Sequence, residues 1–460
     1  MARRTHNEAQ ILPEEGLRWL ALEVDFDTDE AIRWLVQATG QDRWLRRADE
    51  LLSLASGAER QLRSILERHH IEVCIAAAYR RMAFGNLEEL AMQPFADAFG
   101  FALIAKAIHR HLSRQGKQRH VGKLKQALKE DYGFAALRTE HTAMMMGFGI
   151  GCKVVPADLE GLATYDLLLS DQGEEVELEC KLLTHDLGHP FRQSEFNRLC
   201  RALDRLAEKS LLRPGSSRIA WLTLRDTLPR QDQELRLLAT TIAASVVAEQ
   251  VHAVPDYVEE LRVEDWPRGV TEPKLAHAEA RFLSVFQQCY TYAQDGDRSA
   301  FILAIISPPD VKKYGDLVQR KFKDAADQLS HTRPGVIFAE LEGPNFDTGL
   351  TIKLLPPYFK NILEDVFRTR PYLELVIIGL PGPPFSSGAS FAISNPRRKK
   401  RNRSFISRKL ERNSLSKRFS DIPFKDFRKD WRREKYDWKH KSSGDVIEAL
   451  RRFRAAAKKK

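Results

Sequence analysis

Residues 174–182, Glu-Glu-Val-Glu-Leu-Glu-Cys-Lys-Leu, constrain the fold of this chain more than any other stretch. Val176, Leu178, Cys180 and Leu182 alternate with Glu175, Glu177, Glu179 and Lys181. Successive side chains of a strand point to opposite sides, so this alternation predicts a strand with one face in a core. Glu177, Glu179 and Lys181 then share the other face. Carboxylates lined along one face repel each other unless something positive is held among them. Upstream, Thr164-Tyr-Asp-Leu-Leu-Leu169 reads as another strand, and Gln172-Gly173 as a tight turn joining the two into an antiparallel hairpin. A two-residue turn sets Asp171 opposite Glu174, and counting back sets Asp166 opposite Glu179. Asp on one strand beside Glu-x-Lys on the next is a donor set for a hard divalent cation.

The chain of 460 residues has room for roughly two to four domains. Residues 14–126 read as helical, with Leu17, Leu20, Ala21 and Val24 on one face and Ile32, Leu35 and Val36 on another. Asp27-Thr-Asp-Glu offers an N-cap and an acidic first turn. His69-His70 and His109/His111 lack metal-ligand spacing and read as packed or solvated helix residues. The basic run from Lys106 to Lys125 is either a phosphate-facing helix or a solvated one. A helix is expected over 128–147, where Met144 to Met146 fill core and Gly147, Gly149 and Gly151 end the helix without forming a phosphate loop. Strands at 152–156, 164–169 and 174–183 follow, then a helix at 191–209, a strand at 218–224 and a helix at 231–251. A connector at 252–280 leads to strands at 283–293 and 299–307, a helix at 312–330, a strand at 336–341, a helix at 357–368 and a strand at 373–379. The expected class is mixed α/β. It comprises a helical N-terminal domain (1–127), a site domain (128–252), a second α/β region (253–380) and a basic, flexible C-terminal tail (381–460).

Charge is divided unevenly along the chain. Residues 391–460 carry 25 Lys/Arg and 8 Asp/Glu, a balance of +17, so the chain's +10 leaves the other 390 residues at −7. An acidic body with a basic end predicts a polyanionic partner. Arg397, Arg398, Lys399, Lys400, Arg401 and Arg403 form the densest cationic run and are the expected nucleic-acid contacts. Phe405, Phe419, Phe424, Phe427, Trp431, Tyr436 and Trp438 interleave with basic residues, as stacking platforms for bases do. The five cysteines are scattered through apolar runs, which predicts reduced thiols and a cytoplasmic protein. The charged N-terminus gives no secretory signal. The apolar window from Leu237 to Val251 is too short for a membrane span, so no membrane association is expected.

Taken alone, an acid-x-Lys triplet says little, since Glu272-Pro-Lys274, Asp310-Val-Lys312 and Asp437-Trp-Lys439 also occur. Only Glu179-Cys180-Lys181 lies inside an alternating strand with an Asp-bearing strand paired to it. The order of a helix with Glu140, a strand, Tyr165-Asp166, Glu179-Cys180-Lys181, a helix and a strand resembles the PD-(D/E)xK superfamily of restriction endonuclease-like nucleases, over about residues 128–224. The resemblance implies an αβββαβ core and a metal-dependent nuclease, as among bacterial restriction and defence proteins. It implies Asp166 and Glu179 as ligands of magnesium or manganese, the Cys180 carbonyl as a further ligand, Lys181 acting on the attacking water, and Glu140 as an added metal or water contact. Tyr165 stands where the name-giving pattern has Pro.

The chemistry is coherent on its own terms. Phosphodiester hydrolysis needs an activated water and neutralised phosphoryl oxygens, and magnesium held by one or two carboxylates supplies both. Glu177 is read either as an outer partner of this set or as a solvated strand residue. His185 and His189 are read as loop residues beside the site, one layer out from the metal. DNA is the expected substrate over RNA, and a homo-oligomer or a separate protein partner stays open. The alternative is a non-catalytic nucleic-acid-binding or scaffold protein acting through its basic tail. No Gly-x-x-x-x-Gly-Lys-Ser/Thr motif is present, so energy-driven translocation would need another chain.

Overall fold

The structure, a computed structural model, describes residues 27–54, 59–82, 93–130, 132–184, 193–207, 217–225, 227–248, 254–265, 286–294, 299–307, 311–341, 348–379 and 390–416. It is a mixed α/β protein. Its chain divides into two compact units, one gathering residues 1–48, 68–184 and 318–460 and the other residues 49–67 and 185–317.

In the first unit, α1 (Thr28–Thr39) is capped as expected: the Asp27 carboxylate accepts from the Glu30 N–H at 2.8 Å. After α2 (Gln41–Leu54) and α3 (Glu59–Met82), whose residues 49–67 fall in the second unit, come α4 (Gln93–His111), α5 (Arg114–Ala127) and α6 (Ala135–Gly149). Strand β1 (Lys153–Pro156), the short helix α7 (Ala157–Glu160), β2 (Leu167–Asp171) and β3 (Glu174–Leu183) form an antiparallel meander. The β2–β3 turn sits on Gln172 (φ 52°) and Gly173 (φ 78°), with Asp171 opposite Glu174 as the sequence predicts. Two positive-φ residues match the right-handed twist of the flanking strands.

The strand beside β3 on its other side is not the one next in sequence. The second unit comes first, with α8 (Gln193–Ala207), β4 (Ser217–Leu224), α9 (Asp232–Ala248), β5 (Val258–Asp265), β6 (Phe286–Gln294) and β7 (Ser299–Ser307). These strands make a separate sheet in the order β5-β4-β7-β6, with a core built from Leu199, Leu203, Leu222, Leu238, Ile242 and Leu303 among others. The site domain expected at 128–252 is therefore split, because its helix and strand after β3 belong to this second sheet. The connector expected at 252–280 contains β5, whose antiparallel register on β4 breaks between Thr223 and Leu224.

The chain then returns to the first sheet through α10 (Val311–Gln328), β8 (Gly335–Leu341), α11 (Thr348–Thr369) and β9 (Leu373–Gly379). Strand β8 runs parallel to β3 and to β9, giving the order β1-β2-β3-β8-β9 followed by an edge strand at Ser390–Ser394, β10. Both β8 and β9 are buried along their whole length, in keeping with near-continuous apolar sequence in a parallel sheet covered on both faces. On one face Ile104 and Ile108 of α4 and Met144 to Met146 of α6 pack over Val154, Leu169, Val176, Leu178, Phe338 and Ile377. Gly147 permits this approach, since an added Cβ would lie 2.9 Å from Leu169 Cδ2 and 3.0 Å from Val154 Cγ2. Helices α10 and α11 meet through Phe322 and Phe359, whose rings are 6.1 Å apart.

The flexible tail expected from residue 381 is corrected over 390–416. Strand β10 (Ser390–Ser394) closes the sheet antiparallel to β9, and α12 (Phe405–Ser416) places Ile406 and Leu410 in the same core as Met144 and Leu178. Residues 417–460, with Phe419 to Trp438, lie outside the described residues. Among the described residues no helix is long and apolar enough to cross a membrane. Cys74, Cys152 and Cys180 are free and buried, and Cys200 is buried.

Candidate metal centre and its lysines

Asp166 sits one residue before β2, where the hairpin ladder ends at the Leu167–Leu178 pair. Beyond that pair, side chains take over from the ladder. The Asp166 N–H donates to Glu179 Oε2 at 3.2 Å, and the Cys180 N–H donates to Asp166 Oδ2 at 2.7 Å. The Asp166 carbonyl accepts from the Ala157 N–H at 2.8 Å. Three contacts from two flanking segments fix Asp166 against Glu179, as the counted register predicts. What Cys180 contributes in these contacts is its N–H; its thiol belongs to the core, and burial pushes it well above the ordinary thiol range.

Lys181 bonds to Glu179 Oε1 and also donates to Gln328 Oε1 at 2.6 Å. Gln328 ends α10, and its carbonyl accepts from Thr164 Oγ1 at 2.7 Å. The lysine is thus held between β3 and α10. Burial raises the Glu179 carboxyl to about 8, Asp166 adds to the rise, and Lys181 opposes it.

Glu177 is neither solvated nor part of this set. It is fully buried and accepts from the Ser330 N–H at 2.6 Å, from the Ser330 hydroxyl and from Arg333 Nη1 at 3.3 Å. Arg333 also donates through Nε to Glu175 at 2.6 Å. The loop between α10 and β8 thereby neutralises the first half of the carboxylate row, leaving Glu179 and Lys181 to face the site.

Glu140 of α6 does reach Asp166. An oxygen from each of Glu140, Asp158 and Asp166 lies within 4.8 Å of the other two, close enough for one cation to touch all three. Asp158, on α7, is the carboxylate that sequence reasoning missed, and Glu179, expected as a ligand, is not in this trio. Nothing in the spacing marks Asp158, because a four-residue helix carries too little periodicity to be read. Arg138 and Thr139, next to Glu140, bond to Glu340 of β8 at 2.6 and 3.0 Å, which fixes the rotation of α6. Burial raises the Glu140 carboxyl to about 8; Lys123 opposes this, and Asp166 and Asp158 add to it. Asp166 is raised by burial and by Asp158.

Lys123, within the basic run from Lys106 to Lys125, is the second residue that sequence reasoning missed. Its Nζ lies 3.1 and 3.0 Å from the two oxygens of Glu140 and pairs with Asp158. Burial works against its charge, but Glu140, Asp158 and Asp166 outweigh that and hold the ammonium above the usual lysine range. Helix α5 is tied to α7 elsewhere as well: Glu160 Oε1 accepts from the Ser113 N–H at 2.9 Å, and Arg119 reaches the Asp158 carbonyl at 3.4 Å.

The remaining expected residues are placed differently. His185 and His189 lie outside the described residues. Of the cationic run, Arg398 bonds to Glu374 and to the Pro371 carbonyl, and buried Arg403 pairs with Glu411 at 3.1 Å. Both brace the β9–β10–α12 corner. Arg397, Lys399 and Arg401 are exposed. The side chain of Lys400 is outside the described set. His69 bonds to Glu72 at 2.8 Å, and His109 lies against Trp34 with ring centres 5.0 Å apart, so both are packed helix residues.

The all-oxygen donor set suits a hard cation such as magnesium or manganese. Comparison with known proteins gives no matching family model, no matching curated protein and no matching solved structure.

Proposed function

We propose that this chain is a divalent-metal-dependent nuclease that hydrolyses phosphodiester bonds, of the PD-(D/E)xK, restriction endonuclease-like class. The observation that carries the reading is the reciprocal pair of bonds locking Asp166 to Glu179 and Cys180, with Lys181 on the same strand face. Element order supports it too. With residues 185–310 and the four-residue helix α7 set aside, α6, β1, β2, β3, α10 and β8 follow one another as αβββαβ, and β8 lies parallel to β3.

Asp166 and Glu140, with Asp158, would hold magnesium or manganese, which would supply neutralisation of phosphoryl charge and a more acidic water. The protein's own groups do the rest. Asp166 is held rigid by three backbone contacts, so no reorganisation is needed at the carboxylate. Lys181, anchored by Glu179 and Gln328, orients the attacking water and offers a point charge to a non-bridging phosphate oxygen. Exposed Arg397, Lys399 and Arg401, with the basic segment that follows, attract the polyanion, DNA in the first instance.

The purified chain should nick supercoiled plasmid in magnesium and stop on EDTA addition. Asp166→Asn and Lys181→Ala should each lower the rate about 100-fold or more. Unchanged cleavage by both variants sinks the assignment.

A second reading has one observation in its favour: an ammonium already sits among the carboxylates. On that reading the chain binds nucleic acid without cutting it. It predicts salt-sensitive binding, weakened by removing residues 417–460, with no metal-dependent hydrolysis of DNA or RNA.

A further inference from the structure

Lys123 occupies a position that the proposed chemistry does not use. Its ammonium bridges Glu140 and Asp158, two of the three carboxylates whose oxygens converge within 4.8 Å. It takes both oxygens of Glu140 at nearly equal distance, 3.1 and 3.0 Å, so that carboxylate is engaged edge-on. A metal ion and an ammonium cannot share the same lone pairs, and two cations brought that close repel strongly in a half-buried site.

The surroundings let the lysine move without loosening the fold. Its side chain keeps 32% of its accessible surface, so the four-carbon stem has a way out to solvent. Helix α5 stays docked through other contacts on the same face: Glu160 takes the Ser113 N–H, Arg119 reaches the α7 carbonyls, and Gly116 lies against Glu160. Lysine suits a displaceable role, being a compact charge on a flexible stem, whereas arginine's planar fork would grip both oxygens of a carboxylate.

We propose that Lys123 is a built-in counter-ion of the Glu140–Asp158–Asp166 cluster and competes with a divalent cation for Glu140 and Asp158, so that cation entry and release of Lys123 are one event. The proposal rests on the metal-site reading above and adds a regulatory step to it. The lysine keeps the cluster compensated while no cation is bound, and it raises the cation concentration at which the site fills.

The test uses the full chain and reads binding directly. Free manganese is followed by electron paramagnetic resonance in titrations of the wild type, Lys123→Met and Lys123→Arg. Lys123→Met should bind manganese about tenfold or more tightly than the wild type, and Lys123→Arg, which keeps the charge, no more tightly than the wild type. A second measurement needs no variant: acylation of Lys123 by an amine reagent, read by peptide mass spectrometry, should rise when magnesium is added. Equal or weaker manganese binding by a folded Lys123→Met, or Lys123 labelling unmoved by magnesium, overturns the competition while leaving the metal site standing. No manganese bound at millimolar concentration by wild type or Lys123→Met, with no magnesium effect on labelling, overturns the site reading and the competition together.

Discussion

Glu177 and Glu179 stand two residues apart on one face of β3, yet their partners give them opposite work. Glu179 faces a lysine and the backbone N–H of Asp166. Glu177 has no accessible surface and answers two donors of Ser330 and one of Arg333. Removing one partner of such a buried set leaves the others unpaired, which costs more than the net worth of the contact. Glu177→Ala should therefore lower unfolding stability by about 3 kcal/mol in urea denaturation. A cost below about 0.5 kcal/mol, the range of ordinary surface changes, would refute the anchoring role. The period-two pattern placed both glutamates on one face. It could not say which one the α10–β8 loop would claim, because that loop lies about 150 residues further on.

Helix α5 shows the same division across one element. Its Arg119 and Lys123 turn to α7 and the carboxylates, while His120, Leu124 and Ala127 turn into the core. His120 has no accessible surface and stacks near Trp34, with ring centres 6.4 Å apart. Neither ring nitrogen finds a hydrogen-bond partner among the described residues. Burial, with the neighbouring His141, His109 and Lys123, holds its pKa well below 6.5, so the folded protein keeps it neutral. The sign follows directly. Above the ordinary imidazole value both folded and unfolded chains are neutral at this position, and stability is unaffected. As pH falls below it, the unfolded chain takes up a proton that the folded one refuses, so stability is lost, approaching about 1.4 kcal/mol per pH unit. His120→Phe should flatten the fall in urea-measured stability between pH 7 and pH 5, and a slope equal to the wild type's would exclude His120 as a source. The basic composition of 106–125 suggested a phosphate-facing or solvated helix; tertiary packing instead makes it a two-sided wedge.

At the scale of the molecule, the decisive feature is that the first sheet is completed by strands from beyond an inserted unit. Strands β8 and β9 are supplied after residue 317, and β10 with α12 after residue 389. A chain ended at Ala389 loses Phe391, Ile406 and Leu410, each buried to 6% exposure or less. At about 2 kcal/mol for each such side chain, the loss of about 6 kcal/mol is comparable with the whole stability of a domain. That chain should show a lowered or absent cooperative thermal transition, while one ended at Ser416 retains these contacts and a transition near the full chain's. Equal melting of all three chains would show that β10 and α12 are not part of the cooperative unit.

The sequence by itself determined what depends on near neighbours. The alternation in 174–182 and the Gln172-Gly173 turn fix the hairpin, and the hairpin fixes Asp166 against Glu179, because strand period and turn length leave one register. The Asp27 cap, the Met144–Met146 core face and the strands β8 and β9 were legible for the same reason: propensity and periodicity are local properties. Only the tertiary structure decided which strand lies beside β3, that Arg398 and Arg403 brace a corner, and that Asp158 and Lys123 join Glu140 and Asp166. Those outcomes depend on which distant surfaces exclude water together. Side chains 35 residues apart, as Lys123 and Asp158 are, leave no shared pattern in the sequence until the core brings α5 and α7 into contact.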